Sequence, residues 1–283
     1  HIGGRITSKR ISTLLATNSE RKILSISDPL VRFNPAGGIT EWLYQDLELL
    51  SKENLEIQTN DSKILDLLKR RNSKVSQVLQ KRFSNAELPL SEPETLRIIS
   101  KEVPDSHLLF IGNSMPIRDL EIYSPTRNKS PLIIGNRGAS GIDGLLATAF
   151  GASRAFKKGT TVVLGDLSLL HDINSLSLAR RSETPFIIIV INNNGGGIFS
   201  LLPSAGISNF DKLFGTPHDL NFEGFSHSYG ITHCYAHTAE ELQSKYRELI
   251  SKHNCAIIEV TTNREDNARL HREINSEITS ILE

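Results

Sequence analysis

From residue 106 onward, short apolar runs rich in β-branched residues alternate with longer stretches whose apolar positions recur every three to four residues. The short runs are HLLFIGN, PLIIGN, TTVVLGD, PFIIIVINN, ITHCYA and CAIIEV. Each is continuous, with no polar residue at every second place, which predicts strands covered on both faces. The longer stretches predict helices over 115–122, 143–156, 170–181 and 239–252. In the third of these, Leu170, Ile173, Leu176 and Ala179 form one apolar stripe. Strand, helix and strand in succession predict an α/β fold with a doubly wound parallel six-stranded sheet. The run Ser91-Glu-Pro-Glu94 is a capping box with proline in the first turn, so a further helix starts there and leads into the first strand.

Residues 1–84 follow a different rhythm. KILSISD reads as one strand, and ITEWLYQDLELL and SKILDLLKRRNSKVSQVLQKRF read as helices, the second long and heavily charged. This part is expected to be a piece of another α/β unit. The predicted domains are therefore 1–84 and 85–283, joined through the connector SNAELPL.

Composition narrows the chemistry. Among 283 residues, 32 lysines and arginines balance 32 aspartates and glutamates, which argues against a nucleic-acid footprint and leaves cationic chemistry to local clusters. Two cysteines, Cys234 and Cys255, stand too far apart in sequence for a zinc motif, and Cys255 reads as a small buried residue. No apolar run approaches membrane-spanning length. The chain opens on His1 rather than methionine, so a piece of a longer chain is expected.

The chemistry gathers where strands end. In a parallel sheet, ligands sit beyond the carboxyl ends of the strands. TTVVLGD places Asp166 there, and PFIIIVINNN places Asn192, Asn193 and Asn194 there, one crossover later. A carboxylate, an amide oxygen and a backbone carbonyl freed by glycine are hard ligands suited to Mg²⁺, which usually also takes phosphate oxygens. Gly165 permits a tight turn, and Gly195–Gly197 allow close backbone approach. The helix after Asp166 offers free N–H groups to a diphosphate. Asn136 and Arg137 follow PLIIGN, and Ser114 and Arg118 follow HLLFIGN, so both arginines reach the same edge, where carboxylate recognition is expected of them. Asp143 is the expected N-cap of the helix that follows it. The histidines, His218 and His233 among them, are dispersed and expected to be structural or solvent-facing.

Gly-Asp followed about two dozen residues later by Asn-Asn resembles the signature of the thiamine diphosphate decarboxylases and synthases. GNRGASGIDG, GDLS, NNNGGGIFSLLP, GNSMPIRDLE and the opening HIGGRITSKR resemble one branch, the 2-succinyl-5-enolpyruvyl-6-hydroxy-3-cyclohexene-1-carboxylate (SEPHCHC) synthases of menaquinone and phylloquinone biosynthesis. Leu167 stands where most of the superfamily has glycine, as that branch does. The resemblance implies a diphosphate-binding domain preceded by part of a Rossmann-like middle domain. Thiamine diphosphate and Mg²⁺ or Mn²⁺ are the implied cofactors, with Asp166, Asn193 and the Gly195 carbonyl on the metal. It implies Asn113, Gly138, Gly165, Leu167 and Ser168 around the cofactor, with Ile198, Phe199 and Leu202 as an apolar wall. Ser114, Arg118, Arg137, Lys9 and Arg10 are implied contacts to the substrates. The implied reaction is decarboxylation of 2-oxoglutarate and 1,4-addition of the succinyl carbanion to isochorismate, in a bacterial cytoplasm or a plastid stroma. No catalytic residue is assigned within this chain. The activating glutamate is implied in a pyrimidine-binding domain upstream of His1, active sites are implied between subunits of a homo-oligomer, and this piece alone is expected to turn over poorly. Another 2-oxo-acid decarboxylase, an acetolactate-synthase-like enzyme and an inactive remnant are the alternatives.

Overall fold

The computed structural model describes residues 1–2, 8–17, 22–27, 34, 37–52, 62–84, 89–252 and 255–283, except the side chains of Lys9, Ser62 and Ser204. The chain divides into two compact units, His1–Leu65 and Asp66–Glu283. The division falls inside the long charged helix.

The first unit holds helix α1 (Lys9–Ala16), the parallel strands β1 (Leu24–Ser27) and β2 (Glu41–Tyr44), and helix α2 (Leu47–Lys52). The stretch ITEWLYQDLELL, expected to be one helix, is therefore a strand and then a helix. Glu41–Tyr44 pair in register with β1. Asp46 then starts the helix afresh, its Oδ1 accepting from the N–H groups of Glu48 at 2.8 Å and Leu49 at 3.2 Å.

Helix α3 (Ser62–Arg82) leads into the second unit. There follow α4 (Glu92–Glu102), β3 (Leu108–Ile111), α5 (Met115–Tyr123), β4 (Leu132–Ile134), α6 (Leu145–Phe156), β5 (Thr160–Gly165), α7 (Asp166–His171), α8 (Leu176–Ala179) and β6 (Phe186–Asn192). The chain closes with α9 (Glu223–Tyr229), β7 (Thr232–Tyr235), α10 (Ala239–Ser251), β8 (Cys255–Thr261) and α11 (Arg264–Leu282). The six strands form the expected sheet, wholly parallel, in the order β4-β3-β5-β6-β8-β7.

Alternate residues of β3, β5, β6 and β8 feed two cores, whereas Leu132 and Ile133 of the edge strand β4, expected to be covered on both faces, are exposed. Ile187, Ile189 and Ile191 face α4 and α10 with Leu96, Ile99, Leu242 and Tyr246. Phe186, Ile188 and Val190 face α6 and α8 with Leu145, Leu146, Leu176 and Ala179. Each such side chain contributes about 1.5–3 kcal/mol by leaving water, which explains why the strands read as unbroken apolar runs. The later turns of α3 pack through Val75 and Leu79 on Tyr123 and on Ile274 and Ile278 of α11. No helix among the described residues is long and apolar enough to cross a membrane.

Two helix starts differ from expectation. The third helix begins at Asp166 and breaks at Asp172, although its apolar stripe still packs on the core. Asp172 accepts from Ser175 Oγ at 2.6 Å and from the Ala147 N–H at 2.9 Å, and it stands at φ −123° and ψ 24°, outside the helical range. The same contact replaces Asp143 as a cap: Gly144, at φ 63°, holds the N-cap position of α6, and Asp172 serves the first turn from a distance.

Candidate functional site

Strand order reverses between β3 and β5, because the chain leaves β3 for β4 on one side and returns to β5 on the other. Ligands in doubly wound sheets sit at such a switch point. A cavity of about 460 Å³ opens there, walled by the segments that follow β3, β4, β5 and β6.

The turn after β5 brings Gly165, Asp166, Leu167 and Ser168 to this cavity. Asp166 is 1 % exposed, and both its oxygens are engaged. Oδ1 accepts from the Leu167 N–H at 2.6 Å, and Oδ2 accepts from the Gly195 N–H at 2.9 Å and lies 3.2 Å from His218 Nε2. The Leu220 N–H donates to His218 Nδ1 at 3.0 Å, which leaves Nε2 as the donor to Asp166. Burial pushes the Asp166 carboxyl up, and these hydrogen bonds oppose that rise.

Beyond β6, three asparagines hold three different elements. Asn192 donates to Glu259 Oε1 on β8 at 2.7 Å and to the Leu220 carbonyl at 2.9 Å. Asn193 donates through Nδ2 to Glu92 Oε1 at 2.8 Å. Asn194 takes the left-handed φ of 61° that its short amide tolerates, and its Oδ1 accepts from the N–H groups of His218 and Asp219. Gly195 follows at φ 134°, where a Cβ would lie 1.9 Å from the Gly215 carbonyl oxygen, so only glycine fits. The remaining Asn193 oxygen, Oδ1, is buried with no hydrogen-bond partner among the described residues.

Beyond β3, Asn113 is buried and donates to the Gly141 carbonyl at 2.6 Å, while Arg137 Nη1 donates to Asn113 Oδ1 at 2.8 Å. Arg118 Nη1 donates to the Ser114 carbonyl at 2.6 Å, and Ser114 itself sits at φ 70° and ψ −128°. Both guanidinium residues are exposed at the rim. Glu92, 1 % exposed, lies in the cavity wall. Its carboxyl is pushed up to about 8, by burial and by nearby Asp119 and Asp166, against hydrogen bonds from Asn193 and Thr262.

The cavity therefore brings together Asn113, Ser114, Arg118, Arg137, Gly165, Asp166 and Leu167, and with them Ser168, Asn193, Gly195, Ile198 and Phe199. Gly138 is exposed and Leu202 is 46 % exposed; neither lines it. Arg10 is an exposed residue of α1 in the other unit, and the Lys9 side chain lies outside the described residues. Sequence reasoning missed Glu92 and His218. His218, expected to be structural or solvent-facing, touches Asp166 instead. Proximity to the Gly-Asp turn gave no warning, because its loop returns 52 residues later. His233 is also engaged, with Nε2 2.9 Å from Glu259 Oε2.

Among the described residues no group of three or more His, Cys, Asp or Glu could hold a metal ion. The donor set here is of another kind. One carboxylate, one amide oxygen without a protein partner, and a carbonyl in a glycine loop are oxygen donors of the type that Mg²⁺ accepts. The residues present fit a divalent cation that shares its shell with phosphate oxygens.

Residues 121–260 match the family described as thiamine pyrophosphate enzyme, C-terminal TPP binding domain. SEPHCHC synthase of Chlorobium phaeobacteroides is 35 % identical over 286 residues, covering 100 % of this chain and 49 % of that protein. The SEPHCHC synthase of Rubrobacter xylanophilus is 42 % identical over 188 residues, covering 65 % of this chain and 32 % of its own length. The chain thus spans about half the length, or less, of the curated relatives it matches. Among solved structures, the thiamine diphosphate-dependent 4-hydroxybenzoylformate decarboxylase of Rhodococcus jostii RHA1 shares the fold. Its TM-score is 0.54 at 20 % identity, over 63 % of this chain and 34 % of that one.

Proposed function

We propose, for a chain that belongs to the thiamine pyrophosphate enzymes and is homologous along its whole length to SEPHCHC synthases, that it carries the metal and diphosphate portion of such a synthase site. The observation that carries this reading is the convergence of Asp166, Asn193 and Gly195 on one cavity at the switch point, with Asn193 Oδ1 buried and without a protein partner. Asp166, Asn193 Oδ1 and the Gly195 carbonyl would hold Mg²⁺ or Mn²⁺. The turn from Gly165 to Ser168, with Asn113, would meet the diphosphate; Gly138, which does not line the cavity, is given no part in it. Ile198 and Phe199 would wall the ring of the cofactor and keep water from it.

When bound, thiamine diphosphate supplies the electron sink that decarboxylation of a 2-oxo acid needs. The chain's own residues contribute charge and placement. Arg118 and Arg137 stand exposed at the rim, each anchored by one hydrogen bond to the backbone or to Asn113. Both can pair with carboxylates, of which 2-oxoglutarate and isochorismate carry two each. Ser114, which lines the same cavity, adds a hydroxyl. Joining the decarboxylated succinyl unit to isochorismate would give SEPHCHC and CO₂, a step of menaquinone or phylloquinone biosynthesis. The pyrimidine-binding domain and a second subunit are the proposed partners in a complete enzyme.

Calorimetric titration with thiamine diphosphate tests the first half of the proposal. Heat of binding is expected with Mg²⁺ or Mn²⁺ and is expected to vanish with EDTA; binding indifferent to the metal would overturn the assignment. Product analysis with 2-oxoglutarate, with and without isochorismate, tests the second. Release of succinic semialdehyde in both cases would mark a simple decarboxylase instead.

A further inference from the structure

Among the described residues, Glu92 is the one carboxyl in the cavity wall that the proposed chemistry leaves without a task. It stands in the first turn of α4, 101 residues before its partner Asn193. Its Oε1 accepts from Asn193 Nδ2 at 2.8 Å and from Thr262 Oγ1 at 3.1 Å. The Thr262 N–H in turn donates to the Asn192 carbonyl at 2.9 Å, so Glu92 is tied to the ends of both β6 and β8.

An asparagine amide has two ends of similar shape and opposite polarity. One way round it offers an oxygen, the other way an NH₂ that repels a cation. Oε1 is an acceptor whether or not the other carboxyl oxygen carries a proton. It therefore selects Nδ2 and leaves Oδ1 as the end without a protein partner. Gly197 leaves room for the amide itself, since a Cβ there would lie 2.6 Å from Asn193 Nδ2.

We infer that Glu92 is a positioning residue, which fixes the Asn193 amide with its oxygen toward the metal. The inference rests on the metal site proposed above. It predicts that metal affinity depends on residue 92 through the orientation of the residue at 193.

Free Mn²⁺ is measured by electron paramagnetic resonance as the protein is titrated in the presence of thiamine diphosphate. Glu92→Leu is expected to bind Mn²⁺ about ten- to a hundredfold more weakly than wild type. Glu92→Gln, which can present either an oxygen or an NH₂ to the amide, is expected to fall between. In an Asn193→Asp background the ligand is a symmetrical carboxylate with no wrong way round, so Glu92→Leu should cause no further loss. Wild-type affinity in both Glu92 variants would overturn the inference, as would an equal loss in the Asn193→Asp background. Should Glu92→Leu fail to fold by circular dichroism, the Glu92→Gln comparison in the two backgrounds decides. A wild-type protein that takes up no Mn²⁺ would instead sink the metal site itself, and the role of Glu92 with it.

Discussion

Strand β6 obeys one rule in its interior and another at its carboxyl end. From Phe186 to Ile191 every side chain is apolar and at most 1 % exposed, and alternate residues fill the two cores. One step further, Asn192 and Asn193 are still buried but polar, Asn194 is left-handed, and Gly195 takes a φ open only to glycine. The neighbouring strand β5 changes in the same place, from Val162 to Leu164 inside to buried Asp166 at the end. Desolvated carboxyls, an unpartnered amide oxygen and unusual backbone angles all cost folding free energy. They collect at one edge, and the apolar interior behind them offsets the cost. Stability and chemistry are thus separated along the strand direction by a few residues.

A cavity in the interior should damage the fold and spare the edge. Ile189→Ala is expected to destabilise by about 2–5 kcal/mol, read as a lower urea midpoint with an unchanged slope. Protein that remains folded should keep the wild-type affinity for thiamine diphosphate and Mg²⁺. A variant that is folded yet binds tenfold more weakly would show that interior and edge are mechanically coupled, and the separation would be lost.

The converse substitution works at the edge. Asp166→Ala is expected to weaken metal-dependent binding of thiamine diphosphate by more than a hundredfold, or about 2.7 kcal/mol. Its folding stability should change less than that of Ile189→Ala. Removing a desolvated carboxyl relieves one cost and deprives the N–H groups of Leu167 and Gly195 of their acceptor, and these effects oppose each other. A loss of stability matching that of the interior variant would make Asp166 a structural residue first.

The interior and the edge were not equally legible in the sequence. Unbroken apolar runs announce a covered parallel sheet, because burial on both faces leaves no place for alternation. Asp166 was legible as an edge residue because it directly ends such a run next to Gly165, and Asn193 because it lies in the asparagine and glycine stretch that ends the next run. Glu92 and His218 were not, since they meet their partners across 101 and 52 residues of chain. The break at Asp172 was hidden for the same reason, its acceptor serving an N–H 25 residues away. β2 was hidden differently: three apolar residues before Asp46 fit a helix or a strand equally well, and only pairing with β1 decides.

Glu259 sharpens the comparison, because it is a buried edge carboxyl whose needs are met entirely within the protein. It is 1 % exposed on β8, and it accepts from Asn192 at 2.7 Å, from the Phe222 N–H at 3.0 Å and from His233 at 2.9 Å. Burial acts to raise its pKa, and the hydrogen bonds from His233, Asn192 and Phe222 outweigh it, so the carboxyl is held below its ordinary 4.5. A depressed carboxyl pKa contributes stability above the unfolded value, and that contribution is lost as pH falls from 4.5 through the lower folded value. Glu259→Gln keeps the shape and removes the charge. It is expected to cost about 1 kcal/mol at pH 7, with the deficit shrinking as pH falls below 4.5, when measured by urea unfolding across that range. Thiamine diphosphate affinity should move little, since the carboxyl serves the backbone around Phe222 and the amide of Asn192, neither of which is a proposed ligand. A deficit that stayed constant with pH would mean that charge at this position contributes nothing. The buried carboxyls of the edge would then differ from the interior in shape alone.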